Sequence, residues 1–314
     1  MRFRLTGFAI VCLLTISAFA RPPRRYVAVT VDDLPISSAL DDIGIRREIT
    51  KNLLAKIKEF SVPAIGFVNE TQLYDHNVRD EQEVDLLREW LNAGLDLGNH
   101  TFSHKSINDG FDAYEADIVK GELITKELVA KYDRDSQYFR HPYLDAGLTL
   151  KIKADLNIFL KVHGYTIAPV TMDTSDWMFS DAYEKALASG DEKLAKRIAA
   201  AYLPFVLIKV KYWERQSVRL FGREIPQIAL FHATRINSLY FGDIFRMLKR
   251  RGYRFISLKD ALKDKAYRLP DKYTQPGGIS WLHRWAFAKG KRYMTPDEPV
   301  TPAFVAKAAG VKTQ

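Results

Sequence analysis

The sequence predicts an α/β fold: a distorted (β/α)7-type barrel in a single domain that carries a helical insertion. Three observations lead there. Short apolar and β-branched runs alternate with longer segments whose apolar residues recur at helical spacing, as in a parallel sheet wrapped by crossover helices. About seven such strand–helix units follow one another, which suggests a barrel. The length of 314 residues, with 47% apolar and 27% charged, fits one large domain and excludes a disordered or low-complexity chain.

The elements follow in order. Tyr26 to Val31 is β-branched and aromatic and reads as a buried strand. Residues 46–60 carry apolar positions at 49, 53, 54 and 57, a helical face, and Pro63 then opens a strand at 64–68. Residues 81–93 are helical, with Gly94 as the stop, and a strand follows at 95–98. A helix is expected over 112–131, a short strand at 137–140, and a helix at 148–163 stopped by Gly164. Strand-like segments run over 165–172, then a strand at 226–231, a helix at 237–251, a strand at 253–257 and a last helix at 258–266. Two pieces exceed a minimal barrel. Residues 178–225 look mostly helical and are read as an insertion in a catalytic domain of residues 21–266. Residues 267–314, rich in proline and glycine, are read as an irregular tail that packs on the domain at first and frays at its end.

The N-terminus stands apart. Arg2 and Arg4 precede an apolar run from Leu5 to Ile16, and Ala18 and Ala20 make an A-x-A pattern. This reads as a secretory signal peptide over residues 1–20, so the mature chain is expected to be secreted or held in the periplasm or cell envelope. An uncleaved N-terminal anchor is the alternative, although the run is short for a span of about 20 residues; signal removal would leave no stable membrane span. The only cysteine, Cys12, lies inside this segment, so the mature chain has no disulfide and no thiolate for a metal. Any metal site must use histidine and carboxylate. The formal charge of +9 falls to +7 without Arg2 and Arg4. That permits attraction to an anionic glycan, and no nucleic-acid motif accompanies it.

Catalytic groups in parallel α/β folds gather at the C-terminal ends of strands. Here five strands end in ionisable side chains: Asp32 and Asp33; His100 and His104; Arg140 and His141; Asp173 and Asp176; and His232. His100 and His104 are spaced to bring both imidazoles to one side of a turn. The run H-T-F-S-H lacks the glutamate of a helical metalloprotease motif. A carboxylate from another strand end would complete a two-histidine, one-carboxylate site with open positions, suited to zinc and to other divalent ions. Asp32 and Asp33 are neighbours on a strand and are expected to point in opposite directions, which favours two separate tasks over joint ligation.

Taken together, these segments resemble one family. Thr30-Val31-Asp32-Asp33, His100-Thr101-Phe102-Ser103-His104, Arg140-His141-Pro142-Tyr143, Asp173-Thr174-Ser175-Asp176-Trp177 and Leu230-Phe231-His232 match, in order, the five motifs of the polysaccharide deacetylases (NodB-homology, carbohydrate esterase family 4). The resemblance spans about residues 26–260. It implies Asp33, His100 and His104 as ligands of a divalent metal, with Zn2+ expected and Co2+ or Ni2+ as alternatives. It implies Asp32 as general base, Arg140 as the partner that orients it and lowers its pKa, and His232 as general acid held charged by Asp176. Tyr143 would offer a backbone N–H to the oxyanion, and Trp177 and Leu230 would wall the acetyl methyl. Leu34-Pro35 and Leu144 stand where the family usually has glycine, which bears on loop shape.

The function this implies is metal-dependent removal of N-acetyl groups from an amino-sugar polymer such as peptidoglycan, another envelope glycan or chitin-like oligomers. An O-acetyl ester or cyclic amide hydrolase with the same site, and a non-catalytic glycan-binding protein on this scaffold, are the alternatives. Trp281, Trp285, Tyr273 and Tyr293 either stack on sugar rings or anchor the tail, with anchoring the expectation. Oligomeric state is left open.

Overall fold

The structure, a computed structural model, describes residues 24–38, 42–134, 137–291 and 297–311. The signal-peptide segment with Cys12, and Tyr293, lie outside the described residues. Among the described residues there are ten strands: β1 (Arg25–Leu34), β2 (Ile65–Val68), β3 (Tyr74–Asp75), β4 (Val78–Arg79), β5 (Asp96–Asn99), β6 (Tyr138–Phe139), β7 (Thr166–Ile167), β8 (Met172–Asp173), β9 (Gln227–His232) and β10 (Tyr253–Phe255). The helices are α1 (Ile43–Glu59), α2 (Glu81–Asn92), α3 (Phe111–Lys120), α4 (Leu123–Lys131), α5 (Leu150–Val162), α6 (Asp176–Ala188), α7 (Glu192–Phe221), α8 (Arg235–Arg250), α9 (Leu258–Ala261), α10 (Trp281–Ala288) and α11 (Ala303–Ala309).

Seven strands follow the order β7-β6-β5-β2-β1-β9-β8 in one curled, all-parallel sheet. β10 pairs with the first residues of β1, and β2 with its last. The result is a distorted, incompletely closed barrel, in keeping with the (β/α)7-type barrel expected. β1 lies at its centre and is buried on both faces, which explains its continuous run of Val27, Ala28, Val29, Thr30 and Val31. Helix starts are set locally: Asp42, Asp80, Thr149, Asp191 and Thr234 each accept a backbone N–H at the head of α1, α2, α5, α7 and α8. β3 and β4 form a small antiparallel hairpin apart from the main sheet.

Several boundaries differ from the sequence reading. The helix expected over 112–131 is two helices, broken at Gly121 and Glu122. A Cβ at Gly121 would meet the backbone of Thr101 and Phe102 at 2.4 Å, so the break lets the His100–His104 loop pack directly on this corner. The last helix shrinks to four residues followed by a 3-10 turn at Lys265–Arg268. Between β8 and β9 the chain forms α6 and the 30-residue α7. α7 buries Tyr202, Phe205, Tyr212 and Trp213 against the domain.

The segment expected to be an irregular tail is ordered by burial. Its proline and glycine content hides two short helices, α10 and α11. Trp281, Leu282 and Trp285 are buried, and α11 packs on α6 through Val305, Ala306 and Ala309. The tail reaches the link between β7 and β8, the two ends of the sheet path. There the Trp281 N–H donates to Val170 O at 2.7 Å and Ser280 Oγ to Thr171 O at 3.0 Å. Trp281 and Trp285 are anchors, as expected.

Candidate active site

Parallel register brings the five motifs to one rim. Asp32 on β1 is the direct partner of His232 on β9, and Leu230 pairs with Asp173 on β8. Val68 pairs with Asn99 on β5, and the His100 N–H then donates to Val68 O at 3.0 Å. The Arg140 N–H donates to Asn99 O at 3.0 Å, which fixes the end of β6 beside the end of β5.

The extended-chain argument for Asp32 and Asp33 fails here. Asp33 has φ 63°, and the β1–β2 register shifts between Val31 and Leu34. This turn swings Asp33 to the side Asp32 already faces, so both carboxylates approach His100 Nε2, at 3.7 Å for Asp32 and 3.5 Å for Asp33. Left-handed backbone recurs across the rim. Of ten described non-glycine residues with positive φ, Asp33, Thr101, His104, Tyr143, Leu144 and Ser175 belong to the motifs or adjoin them. Such conformations cost about 1–3 kcal/mol each and persist where the surroundings hold them.

Asp33, His100 and His104 form a cluster whose ligand atoms lie within 4.8 Å of one another. Asp33 Oδ1 is 3.5 Å from each of the two Nε2 atoms, is buried, and has no hydrogen-bond partner. The His100 Nδ1–H donates to Arg140 O at 2.8 Å, so in the neutral ring Nε2 carries the lone pair. Burial pushes the His100 pKa well below its ordinary value, and burial lowers His104 as well, despite Asp33. Burial pushes Asp33 up, but His232, His104, His100 and a hydrogen bond from Ser37 outweigh it and keep the carboxylate below its usual range. Two neutral imidazoles and one ionised carboxylate with an orphaned oxygen fit a divalent cation. Neighbours hold the loop in place. Asn69 Nδ2 donates to His100 O at 2.6 Å, and Asp117 accepts Ser103 N–H at 2.9 Å and Ser103 Oγ at 2.7 Å.

His232 and Asp176 make a second unit. The His232 Nδ1–H donates to Asp176 Oδ1 at 2.9 Å, and the His232 backbone N–H to Asp176 Oδ2 at 2.7 Å. Burial alone would lower the imidazole pKa. The fully buried Asp176 charge and its hydrogen bond, helped by Asp33 and Asp32, raise it to about 10. Asp32 shows the opposite balance. Arg140 was expected to depress it, yet burial pushes it up to about 6 against the pull of Arg140 and His232. The reason is geometric: Arg140 Nε stands 3.8 Å from Asp32 Oδ2, beyond hydrogen-bond range. Arg140 Nη2 instead donates to Thr30 Oγ1 at 2.8 Å, and the guanidinium lies 4.9 Å from the Phe67 ring centre.

A cleft of about 410 Å³ collects these groups. Asp32, Asp33, His100, His104, Tyr143, Trp177, Leu230 and His232 line it, while Arg140 and Asp176 sit buried behind them. Trp177 is exposed at the rim and Leu230 forms the floor. The Tyr143 ring meets His104 edge-on at 4.4 Å. His141 and Asp173, left open by the sequence, also line the cleft, as do Ser37, Asp181 and Gly278. Sequence reasoning missed Asn237, whose Nδ2 donates to Asp176 Oδ2 at 2.6 Å and to His232 O at 2.8 Å. It also missed Tyr202 of α7, whose hydroxyl donates to Asn237 Oδ1. Neither lies in a motif: Tyr202 reaches Asn237 from α7, and Asn237 joins Asp176, distant in the sequence, to His232.

The sequence model of the polysaccharide deacetylase family matches residues 20–165. Over those residues the chain is similar to the polysaccharide deacetylases. The match holds the first three motifs; the structure brings the last two, on β8–α6 and β9, to the same cleft. No curated protein matches the chain in sequence. Among solved structures, the chitin deacetylase of the fungal pathogen Colletotrichum lindemuthianum superposes with a TM-score of 0.51 at 21% identity, covering 80% of this chain and 92% of its own. A carbohydrate esterase family 4 pseudoenzyme from Bacillus anthracis gives 0.50 at 15% identity, covering 77% and 67%. A mutant of a CE4 pseudoenzyme with restored enzymatic activity gives 0.50 at 16%, covering 77% and 69%. These likenesses establish the fold. Among its described residues, no helix is long and apolar enough to cross a membrane.

Proposed function

We propose that this protein is an exported, metal-dependent hydrolase that removes N-acetyl groups from an amino-sugar polymer of the peptidoglycan or chitin type. The observation that carries the reading is the convergence of a buried base, a charged acid and three ligand groups on one cleft. Asp33, His100 and His104 would hold a divalent ion, Zn2+ by donor type with Co2+ or Ni2+ as alternatives. When bound, such an ion supplies Lewis acidity and lowers the pKa of water.

The chain's own groups do the rest. Asp32, with its orphaned Oδ1 in the cleft, takes the proton of the attacking water. Arg140 limits the cost of keeping that carboxylate buried and charged. The tetrahedral oxyanion is met by the Tyr143 backbone N–H. His232, cationic at neutral pH, gives its Nε2 proton to the departing amine, which is otherwise a poor leaving group. Asp176 holds that ring by Nδ1 and so aims Nε2 at the cleft. Leu230 and Trp177 exclude water around the acetyl methyl. The basic net charge accords with an anionic envelope glycan.

Acetate release from N-acetylglucosamine oligomers and from peptidoglycan tests the reading, with Zn2+-reconstituted, chelator-treated and Asp32→Asn protein side by side. Acetate from one or both polymers is expected only with the reconstituted wild type. No acetate from either, with metal content verified, would refute the substrate class.

A further inference from the structure

One wall of the cleft is built by a stretch far outside the family match. Tyr143 and Leu144 both adopt left-handed backbone, at φ 55° and φ 56°. Two consecutive non-glycine residues in that region need outside support. The support comes from the C-terminal segment. Gly278 lies against the turn so closely that a Cβ there would fall 1.7 Å from Tyr143 O and 2.7 Å from Leu144 Cβ. Arg284, only 1% exposed, donates through Nη2 to Leu144 O. Its Nε donates to Ile279 O at 3.0 Å and its Nη1 to Asp271 Oδ2 at 2.9 Å. Asp271 in turn accepts Lys153 Nζ of α5 at 2.6 Å. The guanidinium fork therefore ties the tail to itself and to the turn at once.

We propose that Gly278 and Arg284 are positioning residues that hold the Tyr143–Leu144 turn in its working geometry. The proposal rests on the deacetylase reading above, in which Tyr143 meets the oxyanion. It gives the tail a task beyond anchoring: closing the barrel seam and setting one wall of the cleft are the same act, because Ser280 and Trp281 bind the β7–β8 link only a few residues from Gly278. It also accounts for Leu144 where the family has glycine. The backbone freedom that glycine would supply is replaced by an external clamp.

The test compares Gly278→Ala with Gly277→Ala, and Arg284→Met with Arg284→Lys. Gly277 has φ +84° and open space where its Cβ would go, so its variant reports tail strain alone. Amide hydrogen exchange over residues 140–147 is followed in metal-free protein, with Tm, and kcat and KM are measured on N-acetylglucosamine oligomers. Gly278→Ala is expected to speed exchange in 140–147 and lower kcat about 10- to 100-fold with KM little changed. Gly277→Ala should lower Tm and leave kcat intact. Arg284→Lys, which keeps one donor for Leu144 O, should recover part of what Arg284→Met loses. Wild-type exchange or wild-type kcat in Gly278→Ala overturns the proposal, and that variant decides even if Arg284→Met fails to fold. A wild type that releases no acetate would sink the deacetylase reading, while the exchange arm still decides whether the tail holds the turn.

Discussion

Replacing Asp176 by asparagine removes the charge that keeps His232 protonated while preserving side-chain size. His232 is raised from its ordinary 6.5 to about 10, against burial that acts the other way. At about 1.4 kcal/mol per pH unit, that is a net preference for the imidazolium of about 5 kcal/mol. The leading favourable contributions are the Asp176 charge and its 2.9 Å hydrogen bond to Nδ1. With both weakened, burial prevails and His232 in Asp176→Asn should titrate below pH 7. Loss of the general acid at pH 8 should cost about 10²- to 10⁴-fold in kcat/KM. NMR titration of the His232 ring and a pH–rate profile read the two effects independently. Stability follows the same linkage. A histidine raised in the folded state gives its full stabilisation below pH 6.5 and loses it as pH rises through about 10, so wild type should weaken across that window. Asp176→Asn should show a flatter profile there. A His232 that still titrates above pH 9 in the variant would refute the assignment of its charge to Asp176.

Three further outcomes follow from single contacts. Gly121→Ala would drive a Cβ into the backbone of Thr101 and Phe102, so Zn2+ affinity measured by chelator competition should fall at least about tenfold; unchanged affinity would show that α3 does not hold the ligand loop. Tyr202→Phe deletes the donor to buried Asn237 and should cost about 1–2 kcal/mol in denaturant unfolding, with kcat lowered and KM retained. Equal kcat would mean the α7 contact stops short of His232. Trp285→Ala should destabilise the whole domain by about 3–5 kcal/mol in a single transition. A separate early transition of the tail would contradict its integration into the core.

The alternation of strands and helices was legible because the central strands β1, β2 and β9 are apolar runs that end beside polar residues. Tyr26–Val31 ending in Asp32 shows the pattern most clearly. The site was legible for the same reason, since every motif ends a strand or follows one closely. What escaped the sequence depends on local twist or distant partners. Asp33 breaks the two-residue alternation by adopting φ 63°, so an argument from extended backbone sent it to the wrong side. Arg140 and Asp32 were recognised as a pair, but the 3.8 Å gap that lets burial dominate depends on where Thr30 Oγ1 stands. The tail read as irregular because nine prolines and glycines outweighed two short helices, Trp281–Ala288 and Ala303–Ala309. Its burial is decided by the gap between β7 and β8, which only the folded sheet creates.

Fold alone does not separate catalysis from binding here, because a chitin deacetylase and a pseudoenzyme superpose on this chain almost equally well. The energetics of the rim favour the catalytic reading proposed above. Six non-glycine residues in or beside the motifs sit in left-handed backbone, each at a cost of about 1–3 kcal/mol. Asp32 Oδ1, Asp33 Oδ1 and Arg140 Nε and Nη1 are buried without hydrogen bonds, and such groups are expensive to keep. A protein that only held a glycan would gain from relaxing these turns or replacing the buried charges, since stacking and hydroxyl contacts at an open cleft need neither. A hydrolase has a use for each: a carboxylate left free to take a proton, another left free to bind a cation, and a cationic imidazole aimed by Asp176. Strain and unsatisfied charge concentrated on one rim are therefore evidence for chemistry at that rim.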